Sequence, residues 1–411
     1  MITLDNISFF EALELCLKNA APKQTIQNLY VNDALNRVLA KDITAKRNAP
    51  VFTNSAMDGF AFKHSDNKKL KVIKTIYAGD KYENFEIKEG ECVRIMTGAR
   101  VPEGLDTVIP IEKCEKVTNE YIIIPEIKKG SNIRLKGEEI SKGEVLIKKG
   151  ETVTPEIIAM LVSQGIVNIP VYTKLKIAVL STGNELKEPW ENADEEEIYN
   201  VNSYAIEALL KKSGFEADII GLIPDSLEQT VNYIKTLKNE YDVIITSGGI
   251  SFGDADFLFE AFKQNGLKEF FHGIMVKPGR PTMAGIMENT FVFAMPGNPL
   301  SAYINTFALT VPTLKKLSGA EKYYFQTVSA INKTDFKVNP KKDHTILGYY
   351  ENGEWEVYNN YKYGSGMLTP LINSNSLMLL NKGKDTVKKG EVLKIIPFDI
   401  NLTSLNNLFN I

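Results

Sequence analysis

The residues of this chain best suited to chemistry sit in one short run, SGGISFGDAD, Ser247 to Asp256. Ser247, Gly248 and Gly249 directly follow an apolar stretch. Glycines let a backbone turn sharply and bring N–H groups close to an oxyanion. A helix expected after Asp256 turns its positive dipole end toward the same place. Asp254 and Asp256 add carboxylates beside that anion site. Two carboxylates next to a phosphate make sense if a hard cation such as Mg2+ lies between them. The plainer alternative is that either aspartate caps the helix. Glu185 in STGNEL and Asp225 after the next strand weigh the group toward metal or substrate contact. Neither GxGxxG after a strand nor GxxxxGK[ST] occurs, so a phosphorylated ligand is not held in the dinucleotide or Walker manner.

Two further runs offer groups for an anion. MVKPGRP places Lys277 and Arg280 between turn residues, where they can neutralise an anionic substrate or form a solvated basic turn. MPGNPLS carries Pro296, Gly297, Asn298 and Ser301 on a rigid turn leading into a helix. It reads as a binding loop, or as a plain turn with an N-terminal proline. Earlier, NSAMDGFAF places Asp58 before Gly59, which by itself signals a hairpin turn. RIMTGARVPEG puts Thr97 and Gly98 after a strand. His64, His272 and His344 read as structural or exposed, and no Ser/His/Asp order stands out.

The elements that must position these residues fall into blocks. Ser8 and Glu11 have capping-box spacing ahead of an apolar helix face that includes Cys16. Apolar spacing predicts a second helix over roughly Gln27 to Leu39. Short β-rich runs then alternate with Gly, Pro and Asn turns to about Val145. Helix returns at Pro155 to Gln164, so the β block reads as an insertion. From Lys176, strand and helix alternate: Ile177 to Leu180, Ser203 to Lys212, Asp218 to Ile223, Leu227 to Lys238, Val243 to Thr246, Phe291 to Met295, and a long helix after Pro299 that Pro312 is expected to kink or end. That alternation predicts a parallel α/β sheet. Ligands of such sheets bind outside the carboxyl ends of the strands, where Ser181–Glu185, Pro224–Asp225, Ser247–Asp256 and Pro296–Pro299 converge. After Ser318 the texture is β-rich again, with a strand expected over Tyr323 to Ile331.

Bulk properties narrow the class. At 411 residues, two to four domains are expected. The 48 basic and 51 acidic residues nearly cancel, which argues against an electrostatically driven nucleic-acid or membrane binder. The three cysteines are far apart with no CxxC spacing. That pattern fits a reducing compartment and excludes a disulfide framework. No signal peptide or bilayer-length apolar run is evident, so a cytoplasmic protein is expected.

Together, NSAMDGFAF, VRIMTGARVPEGLDTVIP, GSNIRLKGEE, LSTGNEL, SGGISFGDADF, VKPGRP, MPGNPLSAY and GSGMLTPL resemble the MoeA/gephyrin-E family of molybdopterin molybdenumtransferases, in order and spacing, from about residue 8 to 397. The resemblance implies a multidomain α+β fold. Its parts would be a helical and linking domain of residues 1–45 with 146–174, a β-rich inserted domain of 46–145, a three-layer α/β molybdopterin-binding-like domain of 175–320 with a mostly parallel sheet, and a C-terminal β domain of 321–411. It implies a homodimer whose active site faces the insertion of one subunit to the α/β domain of the other. The implied activity is Mg2+-dependent insertion of molybdate into adenylated molybdopterin with release of AMP, and the implied partners include a molybdopterin adenylyltransferase. Carried over by motif, Asp58, Thr97, Glu185, Asp225 and Asp256 are catalytic, with Glu185, Asp225 and Asp256 as metal ligands. Ser247, Gly248, Gly249, Lys277, Arg280, Pro296, Gly297, Asn298, Ser301 and Ser365 bind substrate. The chain departs from the family pattern at Glu139, Asn184 and Arg280, and around Lys341 to Gly348. A gephyrin-like scaffold, a molybdopterin adenylyltransferase and a CinA-like pyrophosphatase are the competing readings.

Overall fold

The computed structural model describes residues 7–22, 25–183, 185–223, 226–249 and 257–399. It shows a multidomain α+β protein built from mixed sheets and helices. The sheet that carries the SGG run has six strands, in the order Asp218–Leu222, Ile177–Ser181, Val243–Ser247, Thr290–Met295, Met283–Met287 and Leu267–His272. The first four run parallel, and the last two join antiparallel. Sequence reading did not foresee that antiparallel pair.

Alternation along each central strand feeds both faces of the sheet. Ile177, Val179, Val243, Ile245 and Phe293 enter one apolar core with helical Phe9, Ile206, Leu210 and Leu314. Ala178, Leu180, Ile244 and Val292 enter a second with helical Ile234, Leu237 and Phe262. Strands buried on both faces need continuous apolar runs, which these sequences have. Side-chain caps set the helix starts: Asn200 accepts from Ser203 N–H, and Ser226 from Gln229 N–H. The Ser8–Glu11 capping box is also present.

Pro312 does not end the last helix. Pro299–Asn305 runs into a π segment, Thr306–Thr310, and then into Val311–Leu317. Val311 N–H reaches back five residues to Thr306 O. That wider turn accommodates a residue with no N–H and a ring that would otherwise press on the preceding turn.

The helix expected over Gln27 to Leu39 is absent. Ile26–Tyr30 is a strand, followed by a 3-10 turn at Val31–Asp33. The strand pairs antiparallel with Asn168–Tyr172, setting Leu29 opposite Ile169 in one apolar cluster. Long-range pairing outweighed local spacing in a segment whose Asn28 and Asn36 disfavour helix.

Ile43–Thr44 pairs with Val145–Ile147, so the chain leaves and returns at neighbouring points. Between them lies a second six-stranded sheet, in which Gly59–Phe62 is flanked by Glu91–Ile95 and Thr107–Pro110. Gly59 is obligatory there: a Cβ would lie 2.0 Å from Ile109 O. In the C-terminal part, Asp343–Glu351 pairs on one side with Ser376–Leu380, closing a sheet on itself, and on the other with Val276–Lys277. The expected strand from Tyr323 begins only at Val328. Buried Asp343 fastens the parts together: its carboxylate accepts from Phe9 N–H at 2.7 Å and Lys382 N–H at 2.8 Å.

Candidate active site

The carboxyl ends of the parallel strands are level. Leu222 pairs with Ser181, Ser181 with Ser247, and Ser247 with Met295. The loops that follow therefore emerge side by side. Gly248 has φ +82°, and a Cβ there would lie 2.6 Å from Thr182 O, so the two loops touch through bare backbone. Ser247 is 2% exposed. Its hydroxyl donates to Pro296 O at 3.0 Å and accepts from Asn202 Nδ2 at 2.7 Å. Asn202 Nδ2 also donates to Gly297 O at 2.7 Å. One amide thus ties the SGG loop to the MPGNP turn.

This geometry corrects one expectation. Gly248 N–H bonds to Met295 O at 3.1 Å. It is committed to the sheet edge and is not a donor for phosphate. Gly248 contributes its turn and its lack of a side chain. Gly297 and Asn298 are exposed, Pro296 is buried, and Ser301 is 1% exposed inside the following helix. Leu300 N–H donates to Ser365 O at 3.1 Å, which brings the GSGM segment against this turn.

The basic turn is held from two sides. Asn305 Nδ2 donates to Gly279 O at 3.0 Å and to Thr282 Oγ1 at 2.7 Å, and Thr282 Oγ1 donates to Gly279 O at 2.8 Å. On the other side, Tyr361 O–H reaches Lys277 O at 3.1 Å and lies 2.8 Å from His344 Nδ1. Lys277 Nζ stands 5.6 Å from the centre of the Tyr361 ring. Asn359, Asn360 and Tyr361 all have positive φ, 47°, 50° and 62°, a conformation that non-glycine residues adopt at a cost of about 1–3 kcal/mol each. Burial lowers the His344 pKa and raises that of Tyr361. Burial thus favours the neutral form of both, which act as hydrogen-bonding groups. Lys277 and Arg280 are exposed.

Asp58 and Thr97 form a separate pair. Thr97 donates its N–H and its hydroxyl to Asp58 Oδ1. The hairpin alternative for Asp58-Gly59 fails, because the strand after it pairs with 91–95 and 107–110. No hydrogen bond joins this pair to the α/β edge among the described residues. Glu185 is exposed, with its carboxylate folded over Gly183, whose Cβ would lie 2.7 Å from Oε2. Asp225, Asp254, Asp256 and Asn184 lie outside the described residues, as does the rest of the 250–256 run. Among the described residues, no three His, Cys, Asp or Glu side chains cluster closely enough to hold a metal.

Sequence reading missed Asn202, Asn305 and Tyr361. The one available signal was polarity inside an apolar helix run, as at Asn305, since a buried amide must find partners.

Residues 7–165 match the family model described as "MoeA N-terminal region (domain I and II)", 178–316 the "Probable molybdopterin binding domain", and 329–398 the "MoeA C-terminal region (domain IV)". A molybdopterin molybdenumtransferase of Haemophilus influenzae is 34% identical over 388 residues, covering 92% of this chain and 95% of that protein. One from Staphylococcus epidermidis is 30% identical over 406 residues, covering 96% of each. The crystal structure of a molybdopterin biosynthesis MoeA protein from Pyrococcus horikoshii OT3 superposes with a TM-score of 0.83 at 30% identity, covering 96% of this chain and all of that one.

Proposed function

Because the chain belongs to the MoeA family of molybdopterin molybdenumtransferases, we propose that it inserts molybdate into adenylated molybdopterin in molybdenum cofactor biosynthesis, releasing AMP. The observation that carries this reading is the level carboxyl edge of Ser181, Ser247 and Met295, tied across by Asn202. A substrate with phosphate at one end and a pterin at the other needs several loops presented on one line, and this edge presents them.

Within this reading each residue has a task. Gly249 and the backbone beyond it receive phosphate, while Gly248 allows the close approach of the Thr182 loop. Lys277 and Arg280 offer N–H donors to tetrahedral molybdate, whose oxygens call for donors rather than carboxylates. Ser301 and Ser365 shape the turn that carries Gly297 and Asn298. Glu185, Asp225 and Asp256 supply the oxygen donors that suit Mg2+, and the exposed Glu185 carboxylate is compatible with that use. When bound, the cation supplies charge stabilisation to the phosphoanhydride. Asp58 and Thr97 belong to the opposite wall, contributed by a second subunit of a homodimer. The chain divides at the boundaries read from its sequence: 1–45 with 146–174, 46–145, 175–320 and 321–411. Placement in the cytoplasm and supply of substrate by a molybdopterin adenylyltransferase belong to the same proposal. No helix among the described residues is long and apolar enough to cross a membrane.

The test is direct. Purified protein is mixed with adenylated molybdopterin, molybdate and Mg2+, and AMP is quantified. Release that depends on both molybdate and Mg2+ is the expected result. Folded protein that releases no AMP would overturn the assignment.

A further inference from the structure

A cleft of about 570 Å³ lies away from the carboxyl edge, at the other end of the Ile177–Ser181 strand. The strand itself separates the two by roughly 13 Å, at about 3.3 Å per residue. The cleft is bounded by the 35–38 turn, Thr173 to Leu175, the end of the Val201–Lys212 helix and the end of the Val311–Leu317 helix. Its walls carry six cations, Arg37, Lys174, Lys211, Lys212, Lys315 and Lys322, against one carboxylate, Glu216. In a chain with slightly more acidic than basic residues, composition does not produce that ratio.

Local neutralisation is incomplete. Lys174 pairs with Glu216, Lys322 with Glu151, and Lys212 reaches Asp399 at 3.7 Å. Lys211 and Lys315 have no carboxylate at salt-bridge distance among the described residues. Lys315 is partly buried, and its ammonium lies 5.0 Å from the centre of the Phe325 ring. Arg37 is 9% exposed; it donates to Tyr172 O and both its terminal nitrogens reach the Gln27 amide oxygen, neutral partners that leave its charge uncompensated. Last-turn lysines often serve helix carbonyls, but here serines cap both ends. Ser213 Oγ donates to Leu209 O at 2.8 Å, and Ser318 Oγ to Leu314 O at 2.9 Å. The lysines are left facing the cleft.

We propose that this cleft is a second anion site, separate from the carboxyl edge, and that it takes a ligand with adjoining phosphates. Its volume is in the range of small-molecule sites. Burial depresses the pKa of both Arg37 and Lys315, a cost that a bound polyanion would relieve. The ligand is either an inorganic polyphosphate or a nucleoside diphosphate, which share this chemistry.

The experiment is isothermal titration calorimetry of the full chain with pyrophosphate, tripolyphosphate and ADP at constant ionic strength. A saturable site is expected. Equal affinity for pyrophosphate and ADP identifies the inorganic ligand, and tighter ADP binding identifies the nucleotide. Lys211→Gln with Lys315→Gln should weaken binding about tenfold or more. Glu216→Gln, which removes the lining carboxylate, should tighten it, and this variant provides the answer if the double variant does not fold. Lys277→Gln should leave this binding unchanged. No saturable heat overturns the proposal. So does binding that survives the lysine changes at full strength in folded protein, because the phosphates then go elsewhere, the carboxyl edge included.

Discussion

Thr97 gives both its backbone N–H and its hydroxyl to the same carboxylate oxygen of Asp58, each at 2.7 Å. The backbone bond, then the hydroxyl, hold the Asp58 carboxyl below its ordinary titration range. Folding therefore favours the ionised form. The associated stability is present above the unperturbed pKa and is lost as pH falls through the depressed value. Thr97→Ala should move the Asp58 titration upward but not fully to the ordinary value, because the N–H remains. Carbon-detected NMR of the carboxyl would show it. Asp58→Asn should cut AMP release at least about tenfold with no loss of fold. Unchanged turnover would remove Asp58 from the site.

Gly248 meets two demands that alanine cannot, a φ of +82° and a Thr182 oxygen 2.6 Å from where Cβ would stand. Gly248→Ala should cost about 1–3 kcal/mol from the left-handed conformation alone, read as a lower urea midpoint. AMP release should fall further than stability does, because the Thr182 loop must retreat from the edge. A variant with wild-type stability and turnover would show that the contact is dispensable.

Asn202 joins Ser247 Oγ to Gly297 O through a single amide nitrogen. Asn202→Ala should destabilise by about 1–2 kcal/mol and raise KM for the pterin substrate. Asn202→Asp should be as harmful as alanine or worse, since a carboxylate cannot donate to Gly297 O. Full activity in the aspartate variant would argue that the bridge has no role.

Tyr361 connects His344 to the Lys277 carbonyl. Tyr361→Phe removes the hydroxyl while keeping the ring beneath Lys277. It should raise KM for molybdate by about threefold to tenfold, one lost hydrogen bond, with little change in kcat. A fall in kcat alone would point elsewhere. His344 adds a pH signature. Its folded-state pKa is lowered, chiefly by burial, so below about pH 6.5 the unfolded chain takes up a proton that the folded chain resists. Stability should decline from about pH 7 toward pH 5, and His344→Gln should flatten that decline in thermal melts.

Much of this protein was legible in its residues. The apolar runs from Ile177, Val243 and Phe291 marked buried parallel strands, and the turn residues after them marked the edge where loops emerge. Ser8 with Glu11 marked a helix start. The ordered motifs marked the family. These features are local, or repeat at the period of the element that carries them, so one dimension suffices to find them. Other features depended on partners distant in the chain. Gln27 to Leu39 looked helical until Asn168–Tyr172 supplied a strand for it to pair with. Gly248 looked like a phosphate donor until Met295 O took its N–H. Asn202, Asn305 and Tyr361 gained their roles only from the loops that folding brings beside them. The basic cleft draws its cations from four separated segments, and those cations, read singly, give no sign of a shared site. Sequence determined most of the elements, those whose signal is local, and what chemistry they carry. The tertiary structure decided which donors are already spent, because a hydrogen bond belongs to two groups and only the fold says which two meet.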